Sequence, residues 1–397
     1  MKQLHDAVHK QLLGLSVNPS ELDNVITPAL AIYPEFITAN VQVMQKLLKG
    51  HLELWQPHVK TSKLAKTMRQ LTALGVTHFK CATTLELLTA CEAGAEEVLF
   101  SYPADGPRAR RIREIAFSSL GTRIFATVEN VAQIDQWKGS NVGLYIDVNP
   151  GMDRTGIALS ARQEIVKLAA GMAESGVSFA GLHCYEGHAR QPDLTGRKAT
   201  LFPVYEALTA LVRTLENAGL SMNCVVTSGT PALPCVLAFQ ETCREAFLHR
   251  ISPGTVVYGD LTSAEQLPSE WGFRLAAIVI SRVISRPAPG IITCDAGHKV
   301  MSADLGVPNC IVLGHPEFEP LGPSEEHMPI RVPEGEPIPE IGTILYLAPK
   351  HICPTVNNFD EALWVEGGRV LEVAEVTARG RESPLPSPVH ERSPVHE

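Results

Sequence analysis

No apolar run among the 397 residues approaches the roughly 18 positions that a membrane-crossing helix needs. The opening stretch, MKQLHDAVHKQLLGLSVNPS, also lacks the apolar core and small-residue cleavage site of a secretory signal. Both absences predict a soluble, cytoplasmic protein with no membrane partner. A basic stripe is missing too. With a net charge of −9 and a pI near 5.9, the chain has little with which to displace counterions from a phosphate backbone, so nucleic acid is a poor partner. A small solute is the better expectation. CxxC spacing is absent among the nine cysteines (Cys81, Cys91, Cys184, Cys224, Cys235, Cys243, Cys294, Cys310 and Cys353). In a reducing compartment most of them read as small core hydrophobes, and Cys353 has to be judged by its neighbours.

What is present is a chain 45% hydrophobic and 19% charged, enough for two packed cores. From about residue 25 to 265 one theme recurs: a short β-branched apolar run, a loop, then a helix-like stretch. PALAIY, LWQPHVKT, HFKCAT, EEVLFSYP, RIFATV, VGLYIDVNP, FAGLHCY and NCVVTSGT each lead into such a stretch, and RISPGTVVYGD closes the series. Repeated βα units with strands buried on both faces predict a parallel sheet, and their number fits a (β/α)8 TIM-type barrel over residues 25–265. From 266 to 380 the pattern changes to strand-like runs separated by Gly and Pro, with Gly367-Gly368 as a hairpin turn. This predicts a C-terminal antiparallel β domain. Residues 1–24 are expected to pack on it. Residues 381–397 are Pro-rich and duplicate SPVHE, which predicts a disordered tail. Its His390 and His396 are spaced too loosely for a metal pair.

Working residues of such a barrel sit at the C-terminal ends of its strands. In QPHVKTSK, Lys60 is either a surface charge or a nucleophilic amine. NPGMDRTGI places Arg154 after a strand, where it can pair with an acid or hold a ligand oxygen. GLHCYEGH places His183 and Tyr185 two apart, near another strand end. TSGT puts Ser228, Gly229 and Thr230 between a strand and a helix start, where backbone N–H groups can approach a phosphate, and SPGTVVYGD adds Tyr258. In APKHICPTVNNFD, His351 and Cys353 are a metal pair or a buried histidine beside an ordinary thiol. In an extended segment their Cα atoms would lie roughly 6.5 Å apart and project to one side.

A strand-end lysine, a mid-barrel arginine and a late phosphate cup together suit pyridoxal 5′-phosphate. The stretches TPALAIY, QPHVKTSK, NPGMDRTGI, GLHCYEGH, TSGTPA, SPGTVVYGD, DAGHKVMSAD and KHICPTVN resemble the D-threonine aldolase and D-serine dehydratase family, in the same order from about 25 to 377. The resemblance implies an alanine-racemase-like fold, a barrel plus a β domain. It also implies that Lys60 forms the Schiff base and takes the substrate α-proton, and that Arg154 lies by the cofactor's phenolic oxygen. Tyr185 would lie near the ring nitrogen, and Ser228, Gly229, Thr230 and Tyr258 around the phosphate. His351 and Cys353 would hold a metal. Aldolases of this family carry His-x-Asp there, suited to manganese or magnesium, whereas dehydratases carry His-x-Cys, and thiolate selects zinc.

The implied activity is a pyridoxal-phosphate- and zinc-dependent dehydratase. It would convert a D-β-hydroxy amino acid such as D-serine or D-threo-3-hydroxyaspartate to a 2-oxo acid and ammonia. The alternative is a metal-dependent D-threonine aldolase releasing glycine and an aldehyde. A racemase would need a second base, normally a tyrosine on the β domain, and Tyr346 is the only tyrosine after Asp260. A non-catalytic cofactor carrier would lack the β domain. In DAGHKVMSAD, Lys299 holds a substrate carboxylate or merely makes a surface pair. The family's usual arrangement, the β domain of one chain facing the barrel of another, implies a homodimer.

Overall fold

The computed structural model describes residues 8–242 and 247–387. Cys243, His390 and His396 lie outside the described residues. The chain divides into two compact units, one of Met1–Lys46, Thr61–Gln70 and Thr255–Arg379, the other of Leu47–Lys60, Leu71–Gly254 and Gly380–Glu397. The first strand, β1 (Ala29–Ile32), corrects an expectation. It was read as opening the barrel, but it runs antiparallel to residues 277–280 and parallel to residues 362–364. A short apolar run buried on both faces has the same pattern in either kind of sheet, so periodicity alone could not place it.

The second unit holds β2 (His78–Cys81), β3 (Glu97–Phe100), β4 (Arg123–Val128), β5 (Gly143–Asn149), β6 (Ile157–Ala158), β7 (Phe179–Cys184), β8 (Cys224–Thr227) and β9 (Leu248–Ile251). All pairs are parallel, in the order β2-β3-β4-β5-β7-β8-β9, with β6 on β5 alone. The sheet closes through residues 55–59. Trp55 bridges Ile251 and His58 bridges Lys80. Gln56 N–H donates to the Ile251 carbonyl at 2.8 Å, and Lys80 N–H to the Pro57 carbonyl at 3.0 Å. These residues are the eighth stave. Pro57 has no N–H to give, which is why the stave makes isolated bridges rather than a regular ladder. Leu99, Phe125, Tyr145, Ala180, Cys224 and Val226 fill the interior, as side chains fill a small barrel.

In the first unit β1 is joined by β10 (Ala277–Ala288), β11 (Ile291–Cys294), β12 (Cys310–Val312), β13 (Glu319–Pro320), β14 (Met328–Arg331), β15 (Ile344–Pro349), β16 (Glu361–Glu366) and β17 (Arg369–Glu375). Apart from β1 with β16, the pairings are antiparallel. Gly367 and Gly368, at φ +55° and +77°, make the hairpin between β16 and β17, a turn that needs two left-handed residues. Leu15, Val17 and Leu22 share a core with Ile278, Ile280, Leu363 and Val365.

Tail residues are not all loose. Arg111 donates from Nε and Nη2 to both carboxylate oxygens of Glu382, at 3.2 and 2.8 Å, and the Glu382 side chain is 4% exposed. The Pro-rich composition that signalled disorder carries no trace of one long-range ion pair. The eight described cysteines are free, and all but Cys91 are buried. Among the described residues no helix is long and apolar enough to cross a membrane.

Candidate functional site

In the barrel unit the polar residues gather around Tyr185. β2 ends in a helix, Thr84–Glu92, whose start is fixed on both sides. Thr83 Oγ1 accepts from Glu86 N at 3.0 Å, and Glu86 Oε2 accepts from Ala82 N at 2.8 Å. Lys80, in the strand just before, pairs in register with the interior residue Leu99. Its side chain is buried, with Nζ 3.5 Å from His183 Nε2 and 5.6 Å from the centre of the Tyr185 ring. Burial drives its pKa down to about 7; the charges of Lys60 and Arg154 add to this, and Glu186 and Asp147 oppose it. His183 in turn meets Asp147, with Nδ1 2.7 Å from Oδ1. Burial also lowers the His183 pKa, only partly opposed by its bond to Asp147. Burial alone would raise the Asp147 pKa, but bonds from His183 and Thr155 and the Arg154 charge bring it below the ordinary carboxylate value.

Arg154 stands over the other contributor to this cluster, its guanidinium carbon 4.9 Å from the Tyr185 ring centre. The loop that carries it is shaped by Asn149, whose Oδ1 accepts from the N–H groups of Gly151 and Asp153 at 2.9 and 3.0 Å. Lys60 follows the eighth stave directly and is exposed, its N–H 3.3 Å from His58 Nδ1. The structure thus brings Lys60, Arg154 and Tyr185 around a lysine and an Asp147–His183 pair. Sequence reasoning had not singled out Lys80. Its signal was the same as that of Lys60, a lone lysine inside an apolar strand run.

Ser228, Gly229 and Thr230 follow β8. Ser228 is left-handed, at φ +64°, and its N–H donates to Glu186 Oε2 at 2.9 Å. That donor is therefore spent on a buried carboxylate, whose pKa burial raises against bonds that include the one from Ser228. Gly229 and Thr230 remain to face a ligand. A Cβ on Gly229 would stand 3.0 Å from Tyr185 Cε2, so any larger residue there would press on the Tyr185 ring. Thr230 starts the turn Thr230–Ala232 that leads into helix Leu233–Thr242, and its Oγ1 is buried with no hydrogen-bond partner. An orphaned hydroxyl next to a small-residue turn is what a phosphate oxygen would complete.

In the other unit, His351 and Cys353 differ from the extended pair expected. His351 is extended, at φ −136° and ψ 104°, but it caps helix Ile352–Asn357, and Cys353 lies in the first turn. Pro354 explains this, since proline is tolerated in a first helical turn where its missing N–H costs nothing. The helix start is tied down by Asp260, which accepts from Ile352 N at 3.0 Å and from Ser263 N at 2.7 Å. His351 Nδ1 lies 2.7 Å from Asp304 Oδ2. Burial works against a charged ring here, but hydrogen bonds and charge from Cys353 and Asp304 prevail and raise the His351 pKa to about 9. Cys353 Sγ is 3.1 Å from Thr61 Oγ1 and 3.9 Å from Thr255 Oγ1. Among the described residues no three histidine, cysteine or acidic side chains converge as a ready metal cage.

Other polar residues near these segments have partners of their own. Tyr258, fully buried, has its hydroxyl 2.7 Å from Thr67 Oγ1 and 3.2 Å from the Ser62 carbonyl. Lys299 pairs with Glu325 at 2.6 Å on the surface. Asp295 accepts from Ser281 and Thr27, each at 2.6 Å. Tyr346 bonds Val17 N at 3.0 Å.

Known proteins resemble most of the chain. The family model for the alanine racemase N-terminal domain matches residues 32–262, and that for a serine dehydratase domain matches residues 276–365. A D-threonine aldolase from Arthrobacter sp is 26% identical over 370 residues, 90% of this chain and 94% of that protein. A D-threo-3-hydroxyaspartate dehydratase from Delftia sp. is 23% identical over 374 residues, 86% of this chain and 95% of that one. The crystal structure of a D-threonine aldolase from Filomicrobium marinum superposes with a TM-score of 0.79 at 27% identity, covering 89% of this chain and 95% of that one.

Proposed function

The chain belongs to the alanine racemase N-terminal domain family, and from that premise we propose a pyridoxal-phosphate- and zinc-dependent dehydratase of D-β-hydroxy amino acids. The products would be a 2-oxo acid and ammonia. Its relatives are lyases, both aldolases and dehydratases. The observation that carries dehydration is Cys353 beside His351, a thiol and an imidazole where the aldolases of the family carry His-x-Asp.

The residues suit both groups. Gly229, the orphaned Thr230 hydroxyl and the helix start behind them suit a phosphate. Ser228, expected among the phosphate ligands, holds the turn in shape through Glu186. Tyr258 supports Ser62 and Thr67. Bound pyridoxal phosphate supplies an electron sink for charge at the substrate α-carbon. Lys60 would anchor it and take the α-proton on its amine, and Arg154 would hold the phenolic oxygen. With Nδ1 on Asp304 and the His351 ring also hydrogen-bonded to Cys353, Nε2 is the nitrogen that would ligate in exchange for that contact, the arrangement in which a carboxylate orients a metal-bound histidine. Zinc on Nε2 and the Cys353 thiolate would supply a Lewis acid for the departing β-oxygen. The homodimer and the cytoplasmic location stand as parts of the same reading.

An aldolase is the second reading, favoured by the 26% identity to D-threonine aldolase across 370 residues. Incubating the cofactor- and zinc-loaded protein with D-serine, D-threonine and D-threo-3-hydroxyaspartate separates the two. Pyruvate, 2-oxobutyrate or oxaloacetate with ammonia is the expected outcome. Glycine with an aldehyde, and no oxo acid, would replace this reading with the second.

A further inference from the structure

Lys80 is a buried amine with too few partners to hold its charged form. Its three N–H groups meet one acceptor, His183 Nε2, at the 3.5 Å edge of hydrogen-bond distance, and the face of Tyr185. Among the described residues no carboxylate lies within ion-pair distance of it. The two acids whose charge it feels are committed elsewhere: Asp147 to His183 at 2.7 Å and Glu186 to Ser228 at 2.9 Å. Its remaining charged neighbours, Lys60 and Arg154, repel it. Burying a cation in this way costs several kcal/mol unless an anion arrives to pair with it. The interior therefore holds a place for a negative oxygen that the chain itself does not provide.

Resting on the functional reading above, we infer that Lys80 is a second cation for the cofactor's phenolic oxygen, shared with Arg154 and steadied by the Asp147–His183 pair. In that reading Lys60 and Arg154 address neighbouring positions of the pyridine ring, the aldehyde carbon and the phenolic oxygen. Lys80 feels both charges and shares the Tyr185 ring with Arg154. The phosphate, by contrast, has its own cradle at Gly229 and Thr230. No covalent bond changes at Lys80. When the anionic oxygen arrives, the neutral amine takes a proton from solvent and keeps it, so cofactor loading above neutral pH consumes a proton at this residue.

The test is calorimetric titration of the cofactor-free full-length protein with pyridoxal 5′-phosphate at roughly pH 8, in two buffers of different ionisation heat, which counts protons taken up. Wild type should take up close to one proton more than Lys80→Met and bind at least about tenfold more tightly. Lys80→Arg, charged throughout, should keep most of the affinity and lose the extra proton. Pyridoxal without the phosphate should show the same difference between wild type and Lys80→Met. If the difference vanishes with pyridoxal, Lys80 serves the phosphate and the inference is overturned. Borohydride reduction followed by peptide mass analysis separates the two levels of the argument. Lys60 labelled equally in every variant with equal proton counts overturns the role of Lys80 alone. No label on wild-type Lys60 overturns the functional reading and this inference with it. Circular dichroism and melting of each variant confirm the fold, and Lys80→Gln repeats the neutral substitution should Lys80→Met not fold.

Discussion

The cluster around Lys80 and the cluster around His351 use the same kinds of side chain, a nitrogen base next to a carboxylate, with opposite charge balance. In the barrel unit three cationic side chains, Lys60, Lys80 and Arg154, crowd a pair of acids already bonded to other partners. Burial takes Lys80 down to about 7. In the other unit one imidazole stands against both an aspartate and a thiol, and its pKa is raised to about 9. The first cluster lacks an anion and the second lacks a cation. A phosphorylated, phenolic cofactor and a divalent metal are ligands of just those two signs, and each cluster is complete without borrowing the other's ligand.

That independence can be broken experimentally. The largest effect is expected from Cys353→Ala, which should weaken zinc retention about a thousandfold or more, measured by metal analysis after dialysis against a chelator, with cofactor loading of Lys60 unchanged. A parallel loss of cofactor would mean that the two clusters are not separable. Next is Lys80→Met in the cofactor-free protein. The folded pKa of Lys80, about 7, lies below its ordinary 10.5. Between those values the unfolded chain holds the proton and the folded chain does not, so wild-type stability rises with pH across that window. Lys80→Met should therefore stabilise the protein by a few kcal/mol below about pH 7, with the gain fading toward about pH 10.5. Urea melts at several pH values would show it, and a pH-independent difference would contradict it.

Smaller effects sharpen the contrast. Asp304→Asn keeps the shape and removes the charge behind His351, so zinc affinity should fall about 10- to 100-fold while pyridoxal phosphate affinity stays put. Thr83→Ala removes the cap of the helix that follows β2 and should cost about 1 kcal/mol of stability. It should leave zinc affinity unchanged, which thermal melts and metal titration together would establish.

Much of this was legible in the sequence because the informative residues sit at strand ends in loops of unusual composition. Lys60, Arg154 and Tyr185 announced themselves in that way, and the structure gathers them. Lys80 did not, because its meaning depends on which way one strand faces and on His183, a hundred residues away. The strand at Ala29–Ile32 was misplaced because a doubly buried run carries no direction. His351 and Cys353 were read as extended because the two-residue spacing invites it. Pro354 pointed instead to a helical first turn. The Ser228 N–H donates to Glu186, a long-range partner that no local pattern in the sequence supplies.

One feature of the barrel reaches beyond chemistry. The stave that carries Lys60 is held to its neighbours by isolated bridges around Pro57, whereas β3, β4 and β5 are joined by full ladders. Such a seam is where a closed sheet opens first under thermal fluctuation, and the amides of Gln56, Val59 and Lys80 should exchange with solvent sooner than those of the opposite wall. Lys60, for which a covalent partner is proposed above, follows directly on the stave held by those isolated bridges, so its mobility need not be achieved by loosening the rest.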